Sequence, residues 1–279
     1  MSKKVGVIGH GVIGRAITNL FKEKVELYIY DPIRDEQEYD YSNFNTTHVK
    51  EEAQEYIGKC DFAFICVPTN HKPGEGLEMS IVKSVVEDFE PKMFINCSTL
   101  QPGTADFLMA KTGKIIVVQP EYFGETAAHP LVNLKNQLFL ILGGDKKQVN
   151  KVISLYQQVY NANIKIRVVS ALEAEIIKLS ENRAIAYKVA QCQELYDVCK
   201  KANIDYNTIR EAVYGDDPRF NLWWTFIYED DRGMNSKCLP KDVYGWEAWA
   251  KEVGAESELT SALLKYNDKL INLEEKENE

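Results

Sequence analysis

Cys238 lies in the stretch GMNSKCLPKD, between Lys237 and Lys241. A cysteine in a soluble protein is most often a small buried hydrophobe whose identity is decided by packing. Nearby cations favour the thiolate, which is the nucleophilic form of the side chain. The two lysines therefore make Cys238 a candidate nucleophile, and its role depends on the groups that the fold brings to it.

A second pair of polar residues occupies the stretch EAEIIKLSENRAIAYKVA. Lys178 and Asn182 are four residues apart, so in a helix their side chains project from one face, one turn apart. Other positions on that face are mostly small or apolar: Ala171, Ala174, Ile185 and Val189. Such a face is typically packed, and a lysine and an amide there need polar partners. Because Lys and Asn are usually exposed, a solvated stripe is an equally good interpretation of the spacing.

Two glutamates follow an apolar run in the stretch VVQPEYFGETAAHP. Glu121 comes directly after Pro120, and Glu125 follows four residues later. A single loop glutamate is usually solvated, but ligands of open α/β sheets bind beyond the carboxyl ends of the strands. The stretches CVPTN (66–70) and NCSTLQPG (96–103) also end apolar runs in small hydroxyl and proline residues. We expect these loops to line one crevice.

A glycine motif opens the chain in VGVIGHGVIGRA. Gly9, Gly11 and Gly14 have the G-x-G-x-x-G spacing between a predicted strand and a predicted helix, which is typical of a dinucleotide site. Asp31 ends the next strand, where a carboxylate accepts hydrogen bonds from an adenosine ribose and repels a 2′-phosphate. The motif predicts NAD, although Arg34 leaves NADP open. A glycine turn that is empty, or that binds a flavin or S-adenosylmethionine, is the alternative.

Short apolar runs alternate with helical stretches through the first half of the chain. Seven runs are predicted strands: KVGVIG (4–9), ELYIYD (26–31), FAFICV (62–67), MFINCS (93–98), KIIVVQ (114–119), LFLILG (138–143) and IKIRVV (164–169). Helices are predicted between several of them, at 11–22, 78–89 and 145–159. Near-continuous apolar strands that alternate with helices indicate a mostly parallel sheet covered on both faces. The sequence predicts an α/β fold with a Rossmann-type doubly wound domain at residues 1–169.

The second half of the chain has an all-α pattern. A helical stretch without Gly or Pro runs from Ser170 to about Lys201, and Glu173 completes a capping box with Ser170. Further helices are predicted near 205–213, 239–253 and 257–272. We therefore predict an all-α central domain at residues 170–279. Because the long helix has apolar positions on more than one face, we expect a homodimer formed through this domain.

The composition limits the classes of function. The chain has 279 residues, a net charge of -9 and a pI near 5.2, which argues against non-specific nucleic-acid binding. No run approaches the ~20 apolar residues of a membrane span, and the glycine-rich start does not resemble a signal peptide. The six cysteines form no C-x-x-C pair, so no metal site is predicted. We expect a cytoplasmic protein with reduced thiols that acts on a small molecule.

Seven motifs occur in an order and spacing that resemble a known family. They are the glycine loop, VPTN, STLQPGT, PEYFGE, EAEIIKLSEN, DPRF and CLPKD. Over essentially its whole length the chain resembles the UDP-glucose/GDP-mannose dehydrogenases, and CLPKD with a lysine-bearing helix and an upstream PE makes the resemblance specific. It implies that a sugar primary alcohol is oxidised to a carboxylate with reduction of two NAD, as in UDP-glucose 6-dehydrogenases of polysaccharide biosynthesis.

Carried over to this sequence, the resemblance implies catalytic roles for five residues. Cys238 would capture the aldehyde as a thiohemiacetal, which is then oxidised to a thioester. Lys178 and Asn182 would stabilise the developing oxyanion. Asp242 would hold or activate a water molecule, and Glu121 would serve as the general base for hydrolysis of the thioester.

The glycine loop and the resemblance together imply a set of binding residues. The residues expected to contact the cofactor are Gly9, Gly11, Val12, Ile13, Gly14, Asp31, Arg34, Val67, Pro68, Thr69, Thr99, Glu125 and Lys241. The residues expected to contact the substrate are Glu121, Lys178, Asn182 and Arg219. The last of these, in the DPRF motif, matches an arginine that reaches a substrate across a dimer interface.

The sequence departs from the family pattern in three places. Asn235 and Ser236 stand where relatives carry glycines just before the cysteine. Full-sized relatives continue into a third α/β domain that binds the nucleotide, so we expect a short form in which a partner chain supplies this recognition or the substrate is not a UDP-sugar. The stretch NLWWTFIYEDD (221–231) has no clear counterpart, and its aromatic residues favour an interface.

Two other functions are compatible with parts of the pattern. A two-electron dehydrogenase of the 3-hydroxyacid or 6-phosphogluconate type also uses a Lys-x-x-x-Asn pair on the long helix. Such an enzyme needs no cysteine, so Cys238 separates it from the four-electron enzyme. A non-catalytic NAD-binding module would explain the altered loop and the absent third domain.

Overall fold

A computed structural model describes residues 2–33, 41, 43–72, 76–124 and 131–277 of the chain. The elements up to the fourth helix are β1 (Lys4–Ile8), α1 (Val12–Phe21), β2 (Glu26–Tyr30), β3 (Thr46–His48), α2 (Ala53–Gly58), β4 (Phe62–Ile65), β5 (His71–Lys72), β6 (Gly76–Leu77), α3 (Ser80–Asp88), β7 (Phe94–Asn96) and α4 (Thr104–Thr112). The remaining elements are β8 (Ile116–Val118), a 3-10 turn (Leu134–Asn136), β9 (Phe139–Gly143), α5 (Lys146–Tyr156), β10 (Lys165–Val169), α6 (Ala171–Ala202), α7 (Tyr206–Arg210), a π-helical turn (Glu211–Asp216), α8 (Leu239–Glu252) and α9 (Glu258–Glu277).

Eight of the strands form one sheet in the order β3-β2-β1-β4-β7-β8-β9-β10. All neighbouring strands are parallel except β8 and β9, which are antiparallel. The first six strands therefore follow the 3-2-1-4-5-6 order of dinucleotide-binding folds, in which the chain order reverses between β1 and β4. The predictions of a mostly parallel Rossmann-type sheet and of a long helix after it are confirmed.

The strands next to the reversal point form because their residues are apolar on both faces. The residues of β1 from Val5 onward and those of all of β4 are buried. Val5, Val7, Phe62 and Phe64 join one large cluster with residues of β2, β7, α1 and α5. At its centre, the Phe21 ring lies 5.6 Å from that of Phe64 and 5.4 Å from that of Tyr156. This packing fixes the carboxyl ends of β1 and β4, from which the glycine loop and the VPTN loop emerge.

The chain divides into two compact units. One consists of Met1–Asn70 with Glu78–Lys178, and the other of His71–Leu77 with Leu179–Glu279. Helix α6 contributes its first residues to the first unit and the rest to the second. The strand β10 ends at residue 169, where the sequence predicted a domain boundary. That boundary stays a prediction.

The second unit is held by two small clusters of buried side chains. One joins Ala186 of α6, Met234, Val243 of α8 and Leu263 and Leu264 of α9. The other joins the far half of α6 to α7 and the π-helical turn. None of the described helices combines the length and the apolarity that crossing a membrane requires.

The start of α6 shows the predicted capping box. The hydroxyl of Ser170 accepts the backbone N–H of Glu173 at 3.2 Å, and the carboxylate of Glu173 accepts the backbone N–H of Ser170 at 2.7 Å. These reciprocal bonds satisfy donors that have no partner inside the helix. They set the beginning of α6, and therefore the register at which Lys178 and Asn182 occur.

Candidate active site

The glycine loop has the geometry that a dinucleotide requires. Gly9 has a φ of +89°, and a Cβ there would lie 2.5 Å from the carbonyl oxygen of Cys66. A Cβ on Gly14 would lie 2.0 Å from the carbonyl oxygen of Gly9, so this glycine lets α1 pack against the loop. A Cβ on Gly11 would meet nothing within 4 Å, so the backbone there is open to an approaching group. The three glycines thus fit the turn, the approach of the pyrophosphate and the helix packing of a dinucleotide site.

The N-terminus of α1 offers its N–H groups to an anion. Its N-cap is Gly11, no side chain caps it, and its first turn contains no acidic residue. The backbone N–H groups of Gly11, Val12 and Ile13 therefore lie at the positive end of the helix dipole without a competing carboxylate. This is the part of the site suited to the phosphates of NAD.

Asp31 follows β2 and is held at the edge of the glycine loop. Its carboxylate accepts the backbone N–H of His10 at 2.7 Å and that of Ile33 at 2.9 Å. These bonds place an acidic group beside the loop, as recognition of an unphosphorylated adenosine ribose requires. Two predicted cofactor residues, Arg34 and Glu125, lie outside the described residues.

The loops after β4 and β7 are joined to each other by one hydroxyl group. Ser98 Oγ accepts the backbone N–H of Val67 at 3.0 Å and donates to the carbonyl oxygen of the same residue at 2.8 Å. Val67, Pro68 and Thr69 belong to one loop, and Thr99 to the other. The structure therefore holds together the two segments in which these cofactor residues were predicted, beside the reversal point of the sheet.

Glu121 is a buried carboxylic acid just after β8. One oxygen, Oε1, accepts the backbone N–H groups of Tyr122 at 2.8 Å and Phe123 at 3.1 Å. The other, Oε2, is buried and has no hydrogen-bond partner among the described residues. Burial raises the pKa of Glu121, and the two N–H groups and the charge of Lys178 only partly oppose this rise. A carboxyl group with a raised pKa and a free oxygen is suited to accept a proton.

Lys178 lies near this acid, on the part of α6 that belongs to the first unit. Its Nζ is 5.0 Å from the centre of the Tyr122 ring, and its charge lowers the pKa of Glu121. The ammonium group is therefore held against an aromatic face beside a buried acid rather than on a solvated stripe. Of the two interpretations of the helix spacing, the packed face describes Lys178.

The second unit brings together three of the predicted residues. Asn182 Nδ2 donates to Asp242 Oδ2 at 2.5 Å, and Lys241 Nζ donates to Asp242 Oδ1 at 2.6 Å. Asp242 is 1% exposed, so both of its oxygens are satisfied in a buried setting. The Asn182 amide is thereby fixed in orientation, and α6 is tied to the first turn of α8.

Cys238 is the N-cap residue of α8, one turn before Asp242. Its carbonyl oxygen accepts the backbone N–H of Asp242 at 3.1 Å. The other five cysteines are buried, whereas Cys238 is exposed. The N-terminus of α8 is the positive end of its dipole, and Cys238 lies there.

The turn before Cys238 contains a glycine at positive φ. Gly233 has a φ of +78°, and Met234 is clamped by Asn267, whose Oδ1 accepts the Met234 N–H at 2.5 Å. Neither Asn235 nor Ser236 has a positive φ, so the substitution of glycine at these positions introduces no backbone strain. Ser236 Oγ instead accepts the N–H of Leu239 at 3.2 Å in the first turn of α8.

Arg219 is exposed in the described chain and pairs with a neighbour. Its guanidinium donates to both carboxylate oxygens of Asp217, with one N–H···O distance of 2.5 Å. The stretch that follows is anchored by Lys188, which donates to the Asn221 carbonyl at 2.7 Å. Trp223 and Tyr228 in this stretch are 44% and 67% exposed.

The sequence did not predict three features of the site. Ser98 joins two cofactor loops, and only its position at a strand end hinted at this. Glu175 on α6 binds the backbone of residues 103 and 105, a contact with no local signal. The hairpin of β5 and β6 follows the VPTN loop, and its His71 ring stacks on Tyr244 of α8 with 4.9 Å between centroids.

The described residues form a cavity beside α1 but no metal cluster. No group of three His, Cys, Asp or Glu side chains among them is arranged to hold a metal ion. A cavity of about 770 Å³ lies along α1 and is lined by residues that include Arg15, Asn19, Phe123 and Lys135. Of the predicted site residues, Val12 alone lines it. This cavity is therefore separate from the residues that carry the predicted chemistry.

Comparison with known proteins adds two family matches. Residues 172–269 match the central domain of the UDP-glucose/GDP-mannose dehydrogenase family. Residues 1–98 match the NAD-binding domain of the D-isomer specific 2-hydroxyacid dehydrogenases. The prediction that this part of the chain binds NAD is thereby confirmed.

Individual relatives agree with this assignment. A UDP-glucose 6-dehydrogenase from Campylobacter jejuni is 25% identical over 270 residues, which are 86% of this chain and 66% of that protein. A UDP-glucose dehydrogenase structure from Pyrobaculum islandicum superposes with a TM-score of 0.83 at 21% identity, over 96% of this chain and 68% of that one. A Mycobacterium tuberculosis 3-hydroxyisobutyrate dehydrogenase structure gives a TM-score of 0.69 at 16% identity, over 96% of this chain and 94% of that one.

The matches cover only part of the length of the sequence relatives. The chain spans 47% to 66% of the length of three curated relatives that it matches. The structural likenesses are below 25% identity and therefore establish the fold. The match to the helical domain, the NAD-binding domain before it and the sequence relatives all support a relationship to the UDP-glucose/GDP-mannose dehydrogenase family.

Proposed function

We propose that this protein is an NAD-dependent dehydrogenase that oxidises the primary alcohol of a nucleotide sugar, of the UDP-glucose type, to the uronic acid. One observation carries the proposal. Asp242, one turn after Cys238 on α8, is buried and accepts from both Asn182 and Lys241. A two-electron enzyme of this fold has no use for a thiol beside such a network, whereas a covalent mechanism does.

The first oxidation converts the alcohol to the aldehyde. A proton leaves the hydroxyl group for the water molecule that Asp242 holds, as the carbon loses its hydride. One NAD, when bound, would accept this hydride, and a second NAD would accept the hydride of the next oxidation. The Cys238 thiolate then adds to the aldehyde carbon, and the carbonyl oxygen becomes the oxygen of a thiohemiacetal.

The second oxidation converts the thiohemiacetal to a thioester on Cys238. Water then attacks the thioester carbon, the C–S bond breaks, and the carboxylate and the free thiol are formed. Lys178 and Asn182 stabilise the negative oxygen that develops in these steps, which for one donor is typically worth ~3 kcal/mol of barrier. Asp242 orients the water, and Glu121 accepts its proton.

The state of Glu121 supports its role as the base. Burial raises its pKa above that of an exposed glutamate. A carboxylate with a raised pKa is a stronger base. One of its oxygens is bound by two backbone N–H groups, while the other has no partner among the described residues. The group is therefore oriented and still able to accept a proton.

The remaining assignments concern binding and assembly. Gly9, Gly11, Val12, Ile13, Gly14, Asp31, Arg34, Val67, Pro68, Thr69, Thr99, Glu125 and Lys241 bind the cofactor in this proposal. Arg219, which pairs with Asp217 in the single chain, binds the substrate of a second subunit in a homodimer formed through the helical domain. The exposed aromatic residues of 221–231 support such an interface. We place the protein in the cytoplasm and in polysaccharide biosynthesis.

A second candidate is a two-electron dehydrogenase of the 3-hydroxyacid type. The observation that favours it is the Lys178–Asn182 spacing on α6, which such enzymes share. The two proposals differ in the fate of the aldehyde and in the need for Cys238. The four-electron enzyme releases acid, and the two-electron enzyme stops after one hydride transfer.

The test uses the purified protein with NAD and UDP-glucose or GDP-mannose, and measures the uronic acid formed. We expect acid from the wild type and none from Cys238→Ser, while Cys199→Ser, which changes a buried cysteine elsewhere, retains activity. Full acid formation by Cys238→Ser would exclude the covalent mechanism. No turnover of any nucleotide sugar, with NAD binding intact, would favour a non-catalytic module.

A further inference from the structure

Glu175 is a buried carboxylic acid that the proposed chemistry does not use. It lies on α6 and is 2% exposed. Its Oε2 accepts the backbone N–H of Gly103 at 2.6 Å, and its Oε1 accepts that of Ala105 at 2.9 Å. Gly103 is the N-cap of α4 and has a φ of +91°, and no side chain within α4 caps the helix. Glu175 thus caps α4 from a different helix.

This arrangement is more costly than a local cap. An Asp, Asn or Ser at the N-cap satisfies the first N–H groups of a helix while it stays near the surface. Helix α5 is capped in this way, because Asp145 accepts the N–H groups of Lys147 at 3.0 Å and Gln148 at 3.2 Å. Burying a carboxylate to do the same work costs desolvation energy. We therefore expect Glu175 to have a function besides the capping of α4.

The segment that Glu175 holds is one of the two cofactor loops. It begins at Ser98, whose hydroxyl is bonded to Val67 at 3.0 and 2.8 Å, and whose carbonyl accepts from Asn96 Nδ2 at 2.7 Å. It ends at Gly103, where Glu175 binds it. Thr99 lies between these two attachments. Glu175 also lies three residues before Lys178 on the same helix.

We propose that Glu175 is a positioning residue, which fixes the Thr99 loop to the start of α6 in the conformation that receives the dinucleotide. The proposal rests on the proposed function, in which Thr99 contacts the cofactor. Ser98 attaches the beginning of the loop to the VPTN loop, and Glu175 attaches its end to the helix that carries Lys178. Loss of the attachment to Glu175 removes two of the bonds that order the end of the loop, so the dinucleotide must contribute more of this ordering on binding.

The test measures the dissociation constant of NAD by calorimetric titration, without substrate, for wild type, Glu175→Gln and Asp145→Asn. Glu175→Gln keeps the volume of the side chain. Its amide NH₂ replaces one carboxylate oxygen, so the N–H of Gly103 or of Ala105 loses its acceptor. Asp145→Asn makes the same chemical change at a local cap, where the carboxylate binds the N–H groups of Lys147 and Gln148 of its own helix. We expect Glu175→Gln to bind NAD at least about tenfold more weakly, and Asp145→Asn to bind it as the wild type does.

A second variant and three other results would also test the role of Glu175. If Glu175→Gln does not fold, Glu175→Asp, which keeps the charge but is one methylene shorter, takes its place with the same expected direction. A folded Glu175 variant that binds NAD with wild-type affinity would overturn the positioning role and leave the proposed function intact. Equal weakening in Asp145→Asn would also overturn it, because the effect would then reflect stability alone. Absence of NAD binding in the wild type would overturn the dinucleotide site itself.

Discussion

The side-chain amide of Asn182 donates to the carboxylate of Asp242 over 2.5 Å, although the two residues are 60 positions apart in the chain. Lys241 donates to the other oxygen of the same carboxylate, and Asp242 is 1% exposed. The bond joins α6, which carries the Lys-x-x-x-Asn pair, to α8, which begins at Cys238. It makes Asp242 a buried structural link between two helices of the second unit.

Asp242→Ala should lower the free energy of unfolding by about 3–5 kcal/mol. Removing the carboxylate leaves the Lys241 ammonium and the Asn182 amide without their buried acceptor. Urea denaturation of the variant and of the wild type measures the difference. Glu55→Ala removes the partner of an exposed pair with Lys59 and should cost less than about 1 kcal/mol. Equal losses in the two variants would show that Asp242 is not a buried partner.

Gly11→Ala and Gly14→Ala should separate cofactor binding from folding. A Cβ on Gly11 meets nothing within 4 Å, so we expect the unfolding free energy to stay within about 0.5 kcal/mol of wild type. The added methyl group obstructs the pyrophosphate, so NAD affinity should fall at least about tenfold. Gly14→Ala places a Cβ 2.0 Å from the Gly9 carbonyl oxygen and should destabilise the protein by more than about 3 kcal/mol. Unchanged NAD affinity in Gly11→Ala would argue against the site.

Lys114→Met should destabilise the first unit although Lys114 has no part in the proposed chemistry. Its Nζ donates to the carbonyl oxygens of Val86, Glu87 and Phe89 at 2.6, 2.9 and 3.0 Å, where α3 ends. Carbonyl groups in the last turn of a helix lack intrahelical donors, so we expect a loss of about 2 kcal/mol in thermal or urea unfolding.

Lys111→Met is the matched control for this variant. Lys111 pairs with Glu87 near the same helix end, but its side chain is 55% exposed, against 12% for Lys114. An exposed pair contributes little, so this substitution should change stability by less than about 0.5 kcal/mol. A loss as large as that of Lys114→Met would mean that charge near α3, rather than the capping bonds, is responsible.

The pH dependence of stability should reveal the buried Glu175. Burial raises the pKa of this residue from 4.5 to about 7, with a contribution from the charge of Asp106, while the N–H groups of Ala105 and Gly103 lower it. Between these two values the folded protein retains a proton that the unfolded chain has lost. The stability that this group contributes is therefore complete below the ordinary pKa and is lost as the pH rises through about 7.

Between about pH 5 and about pH 8, the unfolding free energy of the wild type should fall by on the order of 3 kcal/mol more than that of Glu175→Gln. The glutamine cannot ionise, so the variant lacks this term and other groups cancel in the comparison. Urea denaturation at both pH values provides the measurement. Parallel pH profiles for the two proteins would show that Glu175 ionises in the folded state as it does in the unfolded chain.

The sequence predicted the regular part of the fold because burial on both faces leaves a strong pattern. The seven apolar runs are all strands, and the helices at 11–22, 78–89, 145–159, 239–253 and 257–272 are present with shifted ends. Strand β3, with the sequence Thr46-Thr47-His48, was not predicted because three mostly polar residues at a sheet edge show no period. The hairpin of β5 and β6 was not predicted because each of its strands has two residues.

Residue types and spacing in the sequence indicated candidate site residues, but they did not indicate the contacts that those residues make. The spacing of Gly9, Gly11 and Gly14 reflects a local turn, so sequence was sufficient there. The bonds from Glu175 to Gly103 and from Asn182 to Asp242 join residues 72 and 60 positions apart. Such partners depend on how helices pack, for which a single sequence provides no local signal.

The central claim is a four-electron oxidation that passes through Cys238. The most direct measurement is the number of NADH molecules formed for each UDP-glucose consumed by the purified protein under excess NAD. The account predicts two NADH per sugar, with the uronic acid as product. It also predicts that Cys238→Ser forms no uronic acid. One NADH per sugar, with an aldehyde or ketone as product, would contradict it.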